Sequence, residues 1–319
     1  MLQNKQRALA IITALISYGI FGFSFLFSKQ ALSVAPPFVL LAVRFIVAFA
    51  LMNLLLLGSR FKLELRGKPI KWILLLGLFE PVLYFIFETY AVLYSPTSFV
   101  GIMIAMLPIV TMLLGVPLLK ERLRPLQILC GAASVFGVTV TMFGQMELDF
   151  NWLGFLLLIG TVLTASLYII VSRKIAAEVS SFERTYVMFA EGCLVFTILA
   201  LLQMHGHMQE LLLPFSSPVF WRAVIYLSAA SSVVAYIALN YTLNYLTVAQ
   251  SSIFANLTTV ITILAGVLIL DEPFGVKQII GSAIIILAVY GVNMQPRQDA
   301  PPPDSADGAP PAAAIDTRS

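Results

Sequence analysis

Charge is what this sequence has least of. Asp, Glu, Lys and Arg supply 11% of its 319 residues, whereas hydrophobic residues supply 60%. Mean hydropathy is +0.94. Length alone suggests about two domains, but this composition leaves too little polar surface to cover a soluble core of that size. Lys and Arg occur in short clusters between apolar runs. No basic face tracks phosphates, so nucleic acid is not an expected partner.

Histidine and cysteine are nearly missing, with two of each. His205 and His207 form an HGH loop, and two ligands rarely hold a metal. Cys130 and Cys193 lie inside separate apolar runs and read as small buried hydrophobes. HExxH, Asp-rich prenyl-diphosphate and P-loop motifs are all absent. No catalytic residue, cofactor or metal is therefore expected, the chain is not read as an enzyme, and ATP drive would require another subunit.

Apolar runs are abundant instead. A bilayer core needs about 20 apolar residues per helix, and ten runs qualify: 8–28, 37–58, 71–93, 97–119, 125–143, 151–171, 182–203, 219–243, 248–270 and 276–294. The first run is longer than a signal-peptide core, and Lys29 separates it from the small residues Ser33-Val34-Ala35, so it is read as a retained span. With the N-terminus cytoplasmic, fifteen of the nineteen Lys and Arg residues fall on the cytoplasmic side, including Arg173 and Arg184. Lys29, Arg222 and Lys277 fall outside, and Arg44 lies within a span. The positive-inside bias therefore predicts ten spans with both termini cytoplasmic. The Pro-, Ala- and Asp-rich tail, 295–319, has no apolar period and is expected to be disordered.

The chain also repeats itself. At an offset of 151 residues, 90–132 aligns without a gap on 241–283. Tyr90 meets Tyr241, Thr111 meets Thr262, Glu121 meets Glu272 and Gln127 meets Gln278; about a quarter of the aligned positions are identical. A weaker match at offset 144 sets Ser28-Lys29 on Ser172-Arg173. Five spans per half make the second half enter the membrane from the opposite side, an inverted repeat typical of secondary transporters with a midplane site. The expected fold is an all-α membrane protein of two inverted five-helix repeats, 8–143 and 151–294.

These features resemble the drug/metabolite transporter superfamily, in particular its EamA-type ten-helix exporters. The family's first-helix pattern, Trp-Gly-x-x-Phe ending in Ser-Lys, stands here as FGFSFLFSK, with Phe21 in place of Trp. Its second-helix Leu-Arg-Phe pattern is AVRF, with Arg44 and Phe45. The fourth-helix pattern appears as Pro108, Glu121 and Gln127, with Cys130 where Gly is expected; the second copy has Thr259, Glu272, Gln278 and Gly281. The resemblance implies export of small organic metabolites such as amino acids, or of drugs, across the cytoplasmic (plasma, or inner) membrane. It also implies a central cavity lined by small residues of the first, third, sixth and eighth helices. Partners are then a small-molecule substrate, the lipid bilayer and, as an option, a second copy in a homodimer.

Ionisable groups inside spans carry the chemistry. A charge at the bilayer centre costs about 2.5–3.5 kcal/mol on insertion scales, so Glu80 and Glu88 in LFEPVLYFIFETYAVLY are expected to face the bundle interior. With Tyr84 they stand at i, i+4 and i+8, within about 80° of arc on a continuous helix. Shut away from water, either carboxyl is a candidate for proton or cation coupling, or for holding an amino-bearing substrate; a structural role beside Pro81 is the alternative. Glu191 is a third coupling candidate. Arg44 is read as pairing with a glutamate, anchoring an anion or snorkelling to the outer surface, and Lys29 as an interface anchor. Ser24, Tyr84, Tyr168, Tyr236, Asn240 and Asn256 are candidate substrate contacts, and Pro108 and Pro117 allow a bend. Rival readings are an importer or exchanger on the same fold, an intramembrane enzyme and a non-transporting sensor.

Overall fold

The computed structural model describes residues 2–58, 63–119, 125–146, 150–205, 210–246 and 254–293. The tail, Glu121, His207 and the side chain of Gln127 lie outside the described residues. Among those described, helices are the only repeating structure. They are α1 (Leu2–Leu32), α2 (Pro37–Leu57), α3 (Ile70–Gly77), α4 (Tyr84–Tyr94), α5 (Thr97–Ile104), α6 (Leu107–Leu119), α7 (Pro125–Met146), α8 (Trp152–Lys174), α9 (Ser181–Gln203), α10 (Pro218–Ile225), α11 (Ala235–Tyr245), α12 (Ala255–Ile269) and α13 (Val276–Asn293). Seven described stretches are long and apolar enough to cross a membrane: Ala8–Leu32, Pro37–Leu57, Ile70–Tyr94, Thr97–Gly115, Trp152–Lys174, Ser181–Gln203 and Pro218–Tyr245. Three shorter apolar helices, Ile128–Gly144, Ala255–Ile269 and Val276–Gly291, accompany them.

Three predicted runs are interrupted, each near its middle. The 71–93 run is not one continuous helix: α3 and α4 are joined by the π-wound segment Leu78–Leu83, in which Glu80 is extended (φ −148°, ψ 113°) and the Glu80–Pro81 peptide is cis. The cause is local, because Pro81 has no N–H to donate and the residue before a proline is sterically kept from the helical region. The 219–243 run contains a second π-wound segment, Tyr226–Val234, between α10 and α11. At the repeat offset of 151, 78–83 falls on 229–234, so both halves loosen the same span at the same place. The 97–119 run turns at Ala105–Met106, just before Pro108 at the second position of α6.

Contacts between the halves follow a two-fold pattern. α2 packs on α9, α5 on α12, and α7 on α13, each pairing equivalent spans. The first spans cross over: α1 packs on α11 and α12, and α8 on α4 and α6. Thr13 near the start of α1 meets Thr242, while Lys29 at its end reaches Val92 and Ser95. α8 runs the other way: Gly154 lies beside Tyr94 and Ser95, and Arg173 meets Leu243. The halves are therefore inverted. One face carries Lys29, Ser95 and Glu272, and the other carries Arg173 and Leu243.

The Ser-Lys/Ser-Arg match has a physical basis. Lys29 Nζ donates to the carbonyls of Val92 at 2.7 Å and Ser95 at 3.0 Å. Arg173 Nη1 donates to those of Leu243 at 2.6 Å and Asn244 at 3.0 Å. Val92 and Leu243 are repeat partners, so each cation closes the carbonyl end of its own half's third span, where the helix dipole favours positive charge. Lys29, expected as an interface anchor, is directed at a helix end. Arg184, which the charge count assigned to a cytoplasmic segment, is fully buried. Its guanidinium donates to the Ser172 and Asn240 carbonyls at 2.6 and 2.9 Å, pinning α9 to α8 and α11. Lys29→Met and Arg173→Met should each lower the apparent Tm of the purified protein by about 2–5 °C, the loss of one partly buried helix-end cap; thermal-shift measurement in detergent checks both.

Candidate functional site

Each π-wound segment contributes a residue, Glu80 or Ser231, to the wall of a cavity of about 60 Å³. It lies where the halves meet, walled by α1, α2, α4, α8, α11 and α12 together with the α5–α6 turn. Seven of the sequence-predicted residues line it: Ser24, Arg44, Glu80, Tyr84, Glu88, Tyr168 and Tyr236. Irregular backbone at membrane depth is tolerated where it borders a cavity or is wrapped in protein, and Glu80 meets that condition.

Glu80 comes from the first half and is met by the second, accepting a hydrogen bond from Tyr236 Oη. Glu88, one half-span further along, accepts from Thr89 Oγ1 at 3.1 Å and from Ser28. Arg44 does not snorkel, being only 2% exposed. It crosses to the second half, where Nε donates to Ser232 Oγ at 3.0 Å and Nη2 to Ser231 Oγ at 3.2 Å. Its Cζ lies 4.2 Å from the Phe85 ring centroid, a cation–π contact that offsets part of the lost hydration. Arg44 acts on Glu88 and Glu80 through space, and the ion pair found among the described residues is Lys68–Glu183, away from the cavity. One unpaired cation and two carboxylates therefore line one cavity.

The repeat explains how these groups come together. Glu80 corresponds to Ser231 and Phe85 to Tyr236 at the 151 offset. Arg44 thus binds the counterpart of Glu80, and Glu80 binds the counterpart of Phe85. A model of the EamA-like transporter family matches this chain twice, over residues 8–143 and 152–294.

The chain belongs to the EamA-like transporter family.

Its relatives agree with that assignment. The uncharacterized transporter YcxC of Bacillus subtilis (strain 168) is 35% identical over 295 residues, covering 91% of this chain and 95% of that protein. The uncharacterized transporter YetK of the same organism is 23% identical, covering 92% and 89%. A solved crystal structure shares the fold with a TM-score of 0.64 at 19% identity, covering 88% of this chain and 95% of the other. This EamA-like protein is a membrane transporter of the drug/metabolite superfamily, working in lipid on a small-molecule substrate.

Three predicted residues stand away from the cavity wall of this EamA-like chain. Asn240 is fully buried behind Tyr168, whose hydroxyl donates to its Oδ1 at 3.0 Å. Ser172 also donates to that oxygen, at 2.9 Å, and Asn240 Nδ2 donates to Thr185 at 3.0 Å. Its amide is occupied in holding α8, α9 and α11 together. Asn256 follows the lining residue Ala255 on α12, and its Oδ1 is buried without a hydrogen-bond partner. Glu191 faces α3, where its carboxyl fits because Gly77 has no side chain. Glu191 Oε1 likewise has no hydrogen-bond partner.

Ser231 and Ser232, the partners of Arg44, were not among the expected site residues. The signal was available, since Ser231 aligns with Glu80 and a buried arginine needs acceptors. Tyr236→Phe should leave the Glu80 carboxyl without its donor and destabilise the protein by about 1–3 kcal/mol. Ser231→Ala, which leaves Arg44 bonded through Nε, should cost less. Thermal denaturation of the two variants beside the parent checks the order.

Proposed function

We propose that this protein is a secondary transporter with ten membrane spans that exports small organic metabolites, amino acids or related compounds among them, or drugs. Export runs by alternating access and is coupled to protons. The chain lies in the plasma membrane with both termini in the cytoplasm. The observation that carries this reading is the cavity between inverted halves, lined by Glu80, Glu88 and an unpaired Arg44.

Each carboxylate has a separate part. Glu88 is the coupling group: the small hydroxyls of Thr89 and Ser28 that bond it leave room for a proton or a ligand ammonium. Glu80 is tied to Tyr236 across the halves, so its protonation changes a contact that joins them. Arg44 offers a fixed positive charge to an anionic group on the substrate, and the aromatic rings of Tyr84, Phe85 and Tyr168 supply an apolar wall. Glu191, packed against α3 and away from the cavity wall, assists coupling indirectly.

Proteoliposomes tested against a broad metabolite panel, with pH gradients of either sign, provide the test. The parent should accumulate at least one compound in response to the gradient. Glu88→Gln should lose gradient-driven accumulation by about tenfold or more, the scale of a coupling free energy, while retaining gradient-free exchange of the same compound. Full gradient-driven flux in both Glu80→Gln and Glu88→Gln would remove the coupling assignment. No flux of any compound with either gradient sign would remove the transport reading.

A further inference from the structure

On the Lys29 face the two halves are joined by a contact that the cavity chemistry does not use. Glu272 follows α12 in the second half. Its Oε1 accepts the N–H of Thr97 at 2.6 Å and its Oε2 the N–H of Ser98 at 2.7 Å. Those amides are the first of α5, in the first half. An anionic carboxylate on the open N–H groups of a helix start is a charge-assisted contact, favoured further by the helix dipole. The carboxyl is held from its own side as well. Glu272 N donates to Gly266 O at 3.1 Å, and a Cβ built on Gly266 would come within 2.9 Å of Ser98 N and 2.5 Å of Glu272 Oε2. Lys29 holds the Ser95 carbonyl at the adjoining turn and also acts on Glu272 through space.

What this contact secures is the barrier above the cavity. All eight residues of α5 are buried. Cavity lining on this strand of the fold begins at Ile104 and Leu107, about 10–15 Å further along the helix at 1.5 Å per residue. α5 therefore fills the space between the Lys29 face and the cavity, wedged against α12, α8 and α1. Its first turn is clasped by a residue of the opposite half.

We propose that Glu272 is the latch of the gate on the Lys29 face, and that its departure from the α5 N-terminus opens the cavity to that side. The proposal rests on the alternating-access reading above. In the latched state the cavity is closed toward Lys29. Opening separates the carboxylate from the Thr97 and Ser98 amides and lets α5 move away from α12.

The test reads sidedness, independently of any substrate. Ser24→Cys places a thiol in the cavity of a chain also carrying Cys130→Ala and Cys193→Ala. A membrane-impermeant maleimide is applied from the Lys29 face, in intact cells or inverted vesicles according to which side that face occupies, and then from the Arg173 face. Adding Glu272→Gln should raise the labelling rate from the Lys29 face by about fivefold or more and lower it from the other. Gly266→Ala, which crowds the carboxyl out by a separate route, should act in the same direction. A rate within twofold of the parent in both variants overturns the proposal. So does an equal rise from both faces, which signals general loosening of a helix cap. Failure of the flux panel with a one-sided labelling change would sink the transport reading and leave the gate; normal flux with unchanged labelling would do the reverse.

Discussion

A peptide group in the middle of a bilayer has no water to bond with, and the architecture of this protein is arranged around that constraint. Pro81 removes an N–H donor from the core of a spanning stretch and sets Glu80 in an extended conformation. Lipid would leave the released backbone groups unsatisfied. The interrupted segment is accordingly enclosed by α8 and α9 and turned toward the cavity. Once a polar backbone and a carboxyl are there, the neighbours must be polar too. Tyr236, Ser231 and Arg44, all buried, provide that lining, and Ser232 holds Arg44.

The scaffold obeys the repeat and the site departs from it. Lys29 and Arg173 close equivalent helix ends. Thr111 Oγ1 donates to Ser166, while its counterpart Thr262 donates to the Gly22 carbonyl, and Gly22 is the counterpart of Ser166 at offset 144. Such contacts fix helix to helix, and both halves need them equally. In the cavity the copies differ: Glu80 stands against Ser231, Glu88 against Leu239 and Phe85 against Tyr236. Groups that only one half carries are those a duplicated framework does not require.

Much of this was legible before any coordinates. Apolar runs, the charge bias and the two offsets gave helices, inversion and a central site, because bilayer thickness and backbone satisfaction leave few alternatives. The cavity gathers Glu80, Tyr84, Glu88, Ser24, Tyr168 and Tyr236, all identifiable as polar groups in greasy surroundings. The breaks were less legible. A face drawn for Glu80, Tyr84 and Glu88 on one continuous helix gave the right neighbours for the wrong reason, since the helix is interrupted at Glu80 itself. The burial of Arg184 and the partners of Arg44 were not legible, because a charge count cannot tell a cation in a loop from one bonded inside the bundle. Asn240 and Asn256 looked alike in sequence. Which amide is consumed by neighbours depends on Tyr168, Ser172 and Thr185, residues distant along the chain.

The exchange of Glu80 for Ser231 across the pseudo-two-fold has a consequence for anything that enters. A strictly symmetric cavity would present the same group from both sides, and a guest molecule would have two equivalent ways to sit. Here one wall bears carboxylates and the facing wall hydroxyls that hold a guanidinium. Head and tail of a bound molecule are therefore inequivalent, and the cavity has a built-in sense of orientation although the frame around it has almost none.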